Sequence, residues 1–371
     1  MRKCHLCPLC IPGKIKANHP MPQQTLPSRS GHPEQAVPIC PHLSDETVCN
    51  NPLITPPSSL CFDLSSFQNN SENLYPIKND KSLNKVACIL HPRQPLHIAA
   101  FNVRTLSQIG QQAALAETLF SLNIDVCGVS ETRIQDSGTI IYLKPPSQPS
   151  SSEPFSLRLS GDSEASARGQ AGVGIALSRK AENALLDWFP VNSRLSAVRL
   201  NGSVKVSRNK NSRRCLFVVS IYAPTDCSSD DLKDKFYSDL SGLLENARSS
   251  DIVMVIGDFN AQIGRLDESE RRFGGSHAIP SRRTDNGDRL LNLCAQRGLF
   301  LANTNFEHKQ RHCVTWRPSM PSQPWTQIDH LAISYRWRGS VEDCRSIWST
   351  SVDSDHALVR ARVTLRLCGG K

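Results

Sequence analysis

The sequence predicts an α/β fold of the α+β type, a four-layer α/β sandwich in which two packed mixed β-sheets are flanked by helices. Long apolar runs rich in Val and Ile, such as VVSIY and VMVIG, are typical of strands buried on both faces. Segments with helical spacing lie between these runs, and no glycine-rich nucleotide fingerprint accompanies them. Strands are therefore expected to dominate, helices to cover them from outside, and no nucleotide cofactor to bind.

Composition divides the 371 residues into two parts. Residues 1–95 hold 14 of the 24 prolines and show no sustained periodicity, which predicts a disordered Pro/Ser/Cys-rich N-terminal tail. Residues 96–368 are predicted to form one folded domain. In the tail, Cys4, Cys7 and Cys10 have a CxxCxxC spacing that suits zinc, with an unstructured cysteine-rich tail as the alternative.

The first half of the domain alternates strands with one helix. From Leu96 the segment LHIAAFNVRTL predicts a strand, residues 111–122 a helix, and IDVCGVSE the next strand. Residues 144–170, rich in Pro, Ser and Gly, are interpreted as a surface insertion before the strand AGVGIALS. Strands over 193–206 and 213–224 then flank the basic turn SRNKNSRR as a hairpin.

The second half continues the alternation. A helix over 230–249 precedes the strand DIVMVIGDFN, a polar loop covers 268–287, and a helix spans 288–298. The chain continues with FLANTNF, CVTW, QIDHLAIS and the apolar-basic segment WRGSVEDCRSIW, and a last strand is predicted in HALVRARVTLRL.

Short polar motifs stand where these apolar runs end. The residues are Asn102, Glu131, Tyr222, Asp258, Asn260, Asp329, Asp355 and His356. Because sheets carry their chemistry at strand ends, six strands would bring carboxylates, amides, a phenol and an imidazole to one rim. This set of groups indicates a metal-dependent phosphodiesterase.

Two of the motifs suggest how water and phosphate would be handled. Asp258 and Asn260 are two apart, so on an extended backbone both point to one side, where they suit a water and a phosphate. In VDSDH, a carboxylate such as Asp329 would fix the tautomer of His356 and stabilise its cation. The alternative for both motifs is structural, because Asp and Asn often begin turns and His often caps.

Glu131 and Asn102 are candidate metal ligands. A carboxylate at the end of an apolar strand is costly unless a cation or a donor meets it. All-oxygen ligands favour Mg²⁺ or Mn²⁺ over zinc. A surface Glu131 paired with Arg133 is the alternative, and Tyr222 either donates to a phosphate oxygen or packs.

Taken in order, the motifs FN, ET, SIYAP, GDFN, TW, IDH and SDH resemble those of the endonuclease/exonuclease/phosphatase family. The resemblance covers residues 96 to about 366. AFNVRTL, HKQRHCVTW and IDHLAISYRWRGSVEDCRS resemble in particular the apurinic-like endonucleases of non-LTR retrotransposons. One departure is Val103 directly after Asn102, since repair-type apurinic endonucleases carry an acidic residue close by.

The resemblance implies a role for each residue. Asn102, Glu131 and Asp355 would hold the divalent metal, and Asp258 would orient or deprotonate the attacking water. Asn260 and His356 would bind the scissile phosphate, Asp329 would orient His356, and Tyr222 would support the phosphate or the leaving group. Trp316 would line the DNA-binding edge, with a core aromatic beside Trp325 as the alternative.

Charge, hydropathy and cysteine usage indicate which binding partners and which cellular compartment suit this chain. The formal charge of +9 suits a polyanion, and Arg283 and Arg311 lie in loop clusters that would track phosphates. No apolar stretch reaches the roughly 20 residues of a membrane span, and scattered cysteines favour a reducing compartment. Nuclear residence is inferred from the substrate, with the cytoplasm as the alternative.

The leading hypothesis is a Mg²⁺-dependent DNA endonuclease that nicks one strand. The alternatives are a phosphatase or RNA exonuclease of the same superfamily, and a catalytically silent chromatin- or protein-binding module derived from such a domain. The resemblance also implies a reverse transcriptase domain in a longer parent polyprotein, unless the chain is a stand-alone copy.

Overall fold

The computed structural model describes residues 87–135, 138–149, 151–161, 171–207 and 210–366. Most of the predicted tail, with its CxxCxxC segment, lies outside these residues. Within them the strands are β1 (Pro95–Asn102), β2 (Val126–Ser130), β3 (Ile140–Leu143), β4 (Phe155–Ser160), β5 (Val173–Leu177), β6 (Leu185–Asn192), β7 (Leu195–Leu200), β8 (Lys205–Ser207), β9 (Lys210–Arg213), β10 (Leu216–Tyr222), β11 (Ile252–Asp258), β12 (Leu299–Leu301), β13 (Asp329–Ser334), β14 (Val341–Ile347) and β15 (Leu358–Thr364).

The helices of the described residues lie between these strands, at α1 (Ile109–Ser121), α2 (Arg179–Glu182), α3 (Asp230–Leu244) and α4 (Asp285–Arg297). Short 3₁₀ turns cover Ala302–Thr304, Gln310–His312 and Tyr335–Ser340. The three longer helices fall where the sequence predicted them. None of the helices in the described part of the chain is long and apolar enough to cross a membrane.

The strands form two mixed sheets that pack face to face. The first has the order β14-β15-β1-β2-β5-β4-β3 and the second β12-β13-β11-β10-β7-β6. In each sheet one central pair is parallel, β1 with β2 and β10 with β11, and the neighbours of these pairs are antiparallel. Strands β7 and β10 pair as predicted, and β8 and β9 form a small separate hairpin between them.

Three apolar clusters account for the four layers. One lies between the sheets and includes Ile98, Val218 and Ile256. A second packs α1 on the outer face of the first sheet, and a third packs α3 and α4 on the outer face of the second. Parallel strands buried on both faces read as continuous apolar runs, which explains why the sequence predicted this sandwich correctly.

The interpretation of residues 144–170 as a surface insertion is wrong for Phe155–Ser160, and residues 162–170 lie outside the described part of the chain. Strand β4 lies between β3 and β5 in the first sheet, and its Phe155 and Leu157 side chains are buried. The segment FSLRLS alternates apolar and polar residues, but the Ser-rich and Pro-rich flanks masked this pattern.

The buried core also extends upstream of the predicted boundary at Leu96. Ile89 and Leu90 pack into the cluster between the sheets and are 1% and 3% exposed. The Ile89 N–H donates to the Asn201 carbonyl at 2.9 Å, which ties this segment to the end of β7.

Candidate active site

The eight polar residues singled out in the sequence come together at one rim of the sandwich. Asn102, Tyr222 and Asp258 end their strands, and Glu131 directly follows β2. Asp329 instead begins β13, and His356 precedes β15. Because β13 and β15 are antiparallel to their neighbours, their starts lie at the rim where β11 and β1 end. The expectation that every motif ends an apolar run is therefore wrong for the last two motifs, although the common rim is found.

Asn102 links the two sheets at this rim. Its fully buried Nδ2 donates to Glu131 Oε1 at 2.8 Å on the neighbouring strand and to Asp258 Oδ2 at 3.0 Å across the sandwich. Its Oδ1 accepts from the Arg104 backbone N–H at 3.0 Å. One amide thus fixes the distance between two carboxylates that belong to different sheets.

Two of the site residues have strained backbones. Glu131 and Asn260 have φ angles of +54° and +48°, in the left-handed region that non-glycine residues rarely adopt. The Asn260 backbone N–H donates to Asp258 Oδ1 at 2.9 Å, and its Nδ2 donates to the Ala223 carbonyl at 2.9 Å. Such outliers cluster at functional sites, where surrounding contacts hold them.

Asp329 and His356 form a buried pair. His356 Nδ1 lies 3.0 Å from Asp329 Oδ2, and the two side chains are 6% and 1% exposed, respectively. Burial opposes the imidazolium, but the charge and the hydrogen bond of Asp329, together with the charges of Asp258 and Asp355, outweigh burial and raise the pKa of His356 to about 9. The ring therefore carries a proton on both nitrogens at neutral pH, and Nε2 remains as a donor.

Asp258 is a carboxylate poised to exchange a proton. Burial, followed by repulsion from Asp329, raises the pKa of Asp258 to about 7, while His356 acts in the opposite direction. Asp258 and Asp329 are opposite residues of β11 and β13. A general base works best when its pKa lies near the working pH, and Asp258 meets this condition.

Asp355 is positioned by the indole of Trp316 and by its neighbour Ser354, which is hydrogen-bonded to the last residue of β1. The Trp316 Nε1–H donates to Asp355 Oδ2 at 3.2 Å, and the Ser354 hydroxyl donates to the Asn102 carbonyl at 2.7 Å. Among the described residues, Asp355 Oδ1 accepts no hydrogen bond, and its neighbour is the Arg104 Nε at 3.4 Å. This oxygen is left available to a cation.

The residues present fit a divalent metal ion. Asn102, Glu131 and Asp355 offer amide and carboxylate oxygens, the ligands that Mg²⁺ and Mn²⁺ prefer, and Asp355 Oδ1, which has only the long ion pair with Arg104 and no hydrogen bond among the described residues, gives such an ion a place. A second group of ligand atoms, from Asp258, Asp329 and His356, lies within 4.8 Å. In that group the His356 ring already pairs with Asp329 and holds a raised pKa, which disfavours metal binding there.

Tyr222 joins the site through Glu131. Burial, followed by the charges of Glu131 and Asp258, raises the pKa of Tyr222, and its hydroxyl is hydrogen-bonded to Glu131. Arg194 covers its ring, with the guanidinium carbon 5.0 Å from the ring centroid and NH1 donating to the Tyr222 carbonyl at 3.2 Å. The phenol remains protonated and can act as a hydrogen-bond donor.

Sequence reasoning missed three residues that support the site. Arg194 precedes β7 and faces Glu131, and burial lowers its pKa. Asn286 Nδ2 donates to the Asn260 carbonyl at 3.1 Å and the Pro224 carbonyl at 2.9 Å. The predicted helix began after Asn286, so its placement on α4 was not foreseen. Thr315 was treated only as part of the TW motif.

The three predicted nucleic-acid contacts lie in different surroundings. Trp316 lies beside His356, with ring centroids 6.4 Å apart. Arg311 is exposed on the 3₁₀ turn that packs on β14. Arg283 is bound within its own loop, because it forms a two-point ion pair with Glu270 and donates to the Ile263 carbonyl at 2.8 Å.

The chain is similar in sequence to known proteins. The chain is 28% identical over 272 residues to craniofacial development protein 2 of Bos taurus and to that of Tragulus javanicus, covering 73% of this chain in both cases. The alignments cover 41% and 42% of those relatives, so the chain spans less than half of their length.

Solved structures share the fold at lower identity. An AP endonuclease from Archaeoglobus fulgidus superposes with a TM-score of 0.50 at 16% identity, over 73% of this chain and 100% of that one. The endonuclease domain of TRAS1, a telomere-specific non-LTR retrotransposon, gives a TM-score of 0.46 at 12% identity, over 74% and 100%. The two sheets of this structure and the likeness to the Archaeoglobus fulgidus enzyme confirm the predicted sandwich at the level of the fold.

The sequence profile described as "Endonuclease/Exonuclease/phosphatase family" matches residues 99–369. This range contains both sheets, except for the first four residues of β1, and all the residues of the rim from Asn102 to His356. The family consists of metal-dependent nucleases and phosphatases. The chain belongs to the endonuclease/exonuclease/phosphatase family.

Proposed function

We propose that this chain is a divalent-metal-dependent phosphodiesterase that nicks one strand of DNA. The observation that carries the proposal is the buried link across the two sheets, in which Asn102 binds both Glu131 and Asp258 while His356 pairs with Asp329 beside them. This link supports the proposal that a base, an imidazolium and oxygen ligands surround one space.

In this proposal each side chain has one task. Asp258, with its pKa near 7, accepts the proton of the attacking water. The His356 Nε2–H and the second Nδ2–H of Asn260 donate to the scissile phosphate, and the imidazolium offsets the charge that builds on its oxygens. Tyr222 is hydrogen-bonded to Glu131 and would turn its single hydroxyl proton from Glu131 to the phosphate or the leaving group.

Asn102, Glu131 and Asp355 would hold Mg²⁺ or Mn²⁺, which supplies Lewis-acid stabilisation of the phosphate. The indole of Trp316 fixes the orientation of Asp355 for this purpose. Support from a neighbouring hydrogen-bond donor is a general property of metal-binding carboxylates.

A long polyanion is favoured over a small phosphate ester by the hairpin at residues 316–326, which we call the tryptophan hairpin. Its two ends meet at the isolated Trp316–Thr326 bridge, and its exposed Trp325 packs against Trp348 with ring centroids 4.9 Å apart and ring planes tilted by 48°. Arg317 lies over Trp325, with its guanidinium carbon 5.9 Å from the ring centroid. Aromatic faces with an adjacent cation suit bases and backbone phosphates.

The origin of the domain in a non-LTR retrotransposon and residence in the nucleus are part of this proposal. They rest on the sequence resemblance and on the proposed DNA substrate. A reverse transcriptase domain as a further part of a longer parent protein belongs to the same inference.

The proposal is tested by nicking of supercoiled plasmid DNA by the full chain with Mg²⁺ and with EDTA. Conversion to open circles should require the metal and should fall by about 10²-fold or more in Asp258→Ala and His356→Ala. Asp231→Ala serves as the matched control, because it removes an exposed carboxylate on α3, on the outer face of the second sheet.

Several outcomes would contradict the proposal. Equal nicking by wild type and both site variants would point to a contaminating nuclease. Release of phosphate from 3′ ends without nicking would favour the phosphatase or exonuclease alternative. A folded chain that binds DNA without cleaving it would favour the silent binding module.

A further inference from the structure

Two arginines flank the proposed metal position in matching ways. Arg104 and Arg133 each follow a proposed metal ligand, Asn102 or Glu131, by two residues. Their side chains are 54% and 47% exposed. We call them the arginine pair.

The backbone directs both arginines toward the site. Arg104 and Arg133 have φ angles of +59° and +55°, a conformation that costs an arginine free energy and persists only where other contacts impose it. The Arg104 N–H donates to Asn102 Oδ1 at 3.0 Å, and the Arg133 N–H donates to the Ala171 carbonyl at 2.9 Å. These backbone bonds impose the left-handed turns that place each guanidinium beside a carboxylate.

Each guanidinium rests on a carboxylate that the proposed function assigns to the metal. Arg104 Nε is 3.4 Å from Asp355 Oδ1, and Arg133 NH2 is 3.8 Å from Glu131 Oε2. Both contacts are single and long, whereas strong arginine–carboxylate pairs are short and two-pronged. Half-exposed pairs of this kind are weak and exchange readily for another anion.

We infer that the arginine pair neutralises the metal-binding carboxylates before the ion arrives and then turns to the backbone phosphates on either side of the scissile bond. A divalent ion competes for the same Asp355 and Glu131 oxygens, so its binding releases both guanidinium groups at the rim. The planar fork of arginine matches phosphate oxygens. The inference rests on the proposed function, and it names two substrate-binding residues and a link between metal and substrate binding.

The first arm of the test measures Mn²⁺ binding to the full chain without DNA, by electron paramagnetic resonance titration. In Arg104→Gln/Arg133→Gln the competing cations are gone, and the dissociation constant for Mn²⁺ should fall by about two- to tenfold. Arg104→Lys/Arg133→Lys keeps the charges and should remain close to wild type. An unchanged or weaker Mn²⁺ affinity in the glutamine variant would overturn the inference.

The second arm measures binding of a fluorescein-labelled duplex by anisotropy, with Ca²⁺ in place of Mg²⁺, at a series of salt concentrations. The glutamine variant should bind more weakly, and its slope of log K against log salt should be less negative by about 2, one unit for each lost phosphate contact. An unchanged slope would rule out both contacts.

Arg179→Gln is the matched control for both arms. Arg179 forms a similar exposed pair, 3.5 Å from Glu153, but it follows β5 at the end of the sheet opposite to the rim. Thermal unfolding of all variants shows whether the fold is kept, which the exposure of both side chains leads us to expect.

The two proposals fail in different ways. A chain that does not nick DNA but binds Mn²⁺ more tightly in the glutamine variant would refute the proposed function and support the competition between arginines and metal. A chain that nicks DNA, with unchanged Mn²⁺ affinity and salt slope in that variant, would refute the arginine inference alone.

Discussion

Burial controls the protonation of the residues at the rim. Asp258 lies in a buried position opposite Asp329, so its neutral form is favoured and its pKa rises to about 7. His356 is equally buried, but its partner Asp329 favours the cation and raises its pKa to about 9. A carboxyl group with a pKa of about 7 and an imidazole with a pKa of about 9 can act as a base and an acid, respectively.

A pH profile should follow from these values. In the proposed function Asp258 acts as the carboxylate, so the rate should fall as the pH drops through about 7, by up to tenfold per pH unit. In the same proposal His356 acts as the cation, so the rate should fall again above about pH 9. The measurement is the nicking rate between pH 5 and 10. A metal cation bound nearby favours the charged form of Asp258 and so lowers its pKa. The acidic limb of the profile should therefore lie at or below pH 7, and an acidic limb well above pH 7 would contradict the assignment of Asp258 as the base.

Asp329→Asn should change the basic limb of that profile. The variant removes the charge that stabilises the His356 cation while burial remains, so the imidazole pKa should fall by more than one unit. NMR titration of the imidazole carbon protons in Asp329→Asn and wild type measures this shift directly. An unchanged His356 titration would show that Asp329 does not set the charge of the ring.

At the scale of elements, hydrogen bonds from neighbouring segments hold the strand ends that form the rim. The Thr315 hydroxyl accepts from the backbone N–H groups of Ile328 and Asp329, at 3.0 Å each, just where β13 begins. Asn286 on α4 similarly binds the loop after β11 and the loop after β10. These contacts hold loop residues that lie beyond the backbone hydrogen bonds of the two sheets.

Thr315→Val should lower the free energy of unfolding by about 1–3 kcal/mol, because two buried N–H groups lose their acceptor without a change in side-chain volume. Thr315→Ser keeps the hydroxyl and is the control, with a smaller loss from the missing methyl group. Chemical denaturation of both variants measures the difference. A serine variant less stable than the valine variant would show that packing of the methyl group dominates at this position.

At the scale of the whole molecule, the site depends on how closely the two sheets approach. A Cβ added to Gly128 of β2 would lie 2.8 Å from Ser220 Oγ and 2.9 Å from Ile256 Cγ1, both on the opposite sheet. Gly128 lies two positions before Ser130, the partner of Asn102 in the β1–β2 ladder. The distance between the two sheets at Gly128 therefore affects the Asn102–Asp258 hydrogen bond, which joins the same two sheets.

Gly128→Ala should destabilise the fold by about 1–3 kcal/mol, since overpacking forces the sheets apart. Gly242→Ala on α3 is the control, because among the described residues no atom beyond its own helical turns and chain neighbours lies within 4 Å of its added Cβ, and alanine favours helix. Thermal unfolding compares the two. A Gly128→Ala variant as stable as wild type would mean that the neighbouring side chains adjust without moving the sheets.

The start of the folded domain is a second property of the whole molecule. A chain that begins at residue 96 lacks Ile89 and Leu90, which are buried between the sheets. It should be less stable than a chain that begins at residue 86 by about 3 kcal/mol or more, from the lost apolar burial. Urea denaturation of both chains tests this expectation, and equal stability would place the boundary at 96.

Much of the fold and of the rim was predictable from sequence because local patterns dictate them. Buried parallel strands such as β1, β2, β10 and β11 are continuous apolar runs, and the three longer helices repeat at helical spacing. Strand β4 was missed because it is short and is flanked by Ser and Pro. The site residues were found because each interrupts or borders such a run with a polar group.

Which side chains border the strands, and so which chemical groups are available to the rim, follows from local sequence patterns. How these groups meet follows from the folding of the chain, because the contacts join residues far apart in the sequence. Asn102 and Asp258 bond across 156 positions, and Arg104 reaches Asp355 on the other side of the site. No local pattern encodes such distances, since they depend on sheet packing and on the antiparallel placement of β13 and β15, which turns the start of a strand into part of the same rim.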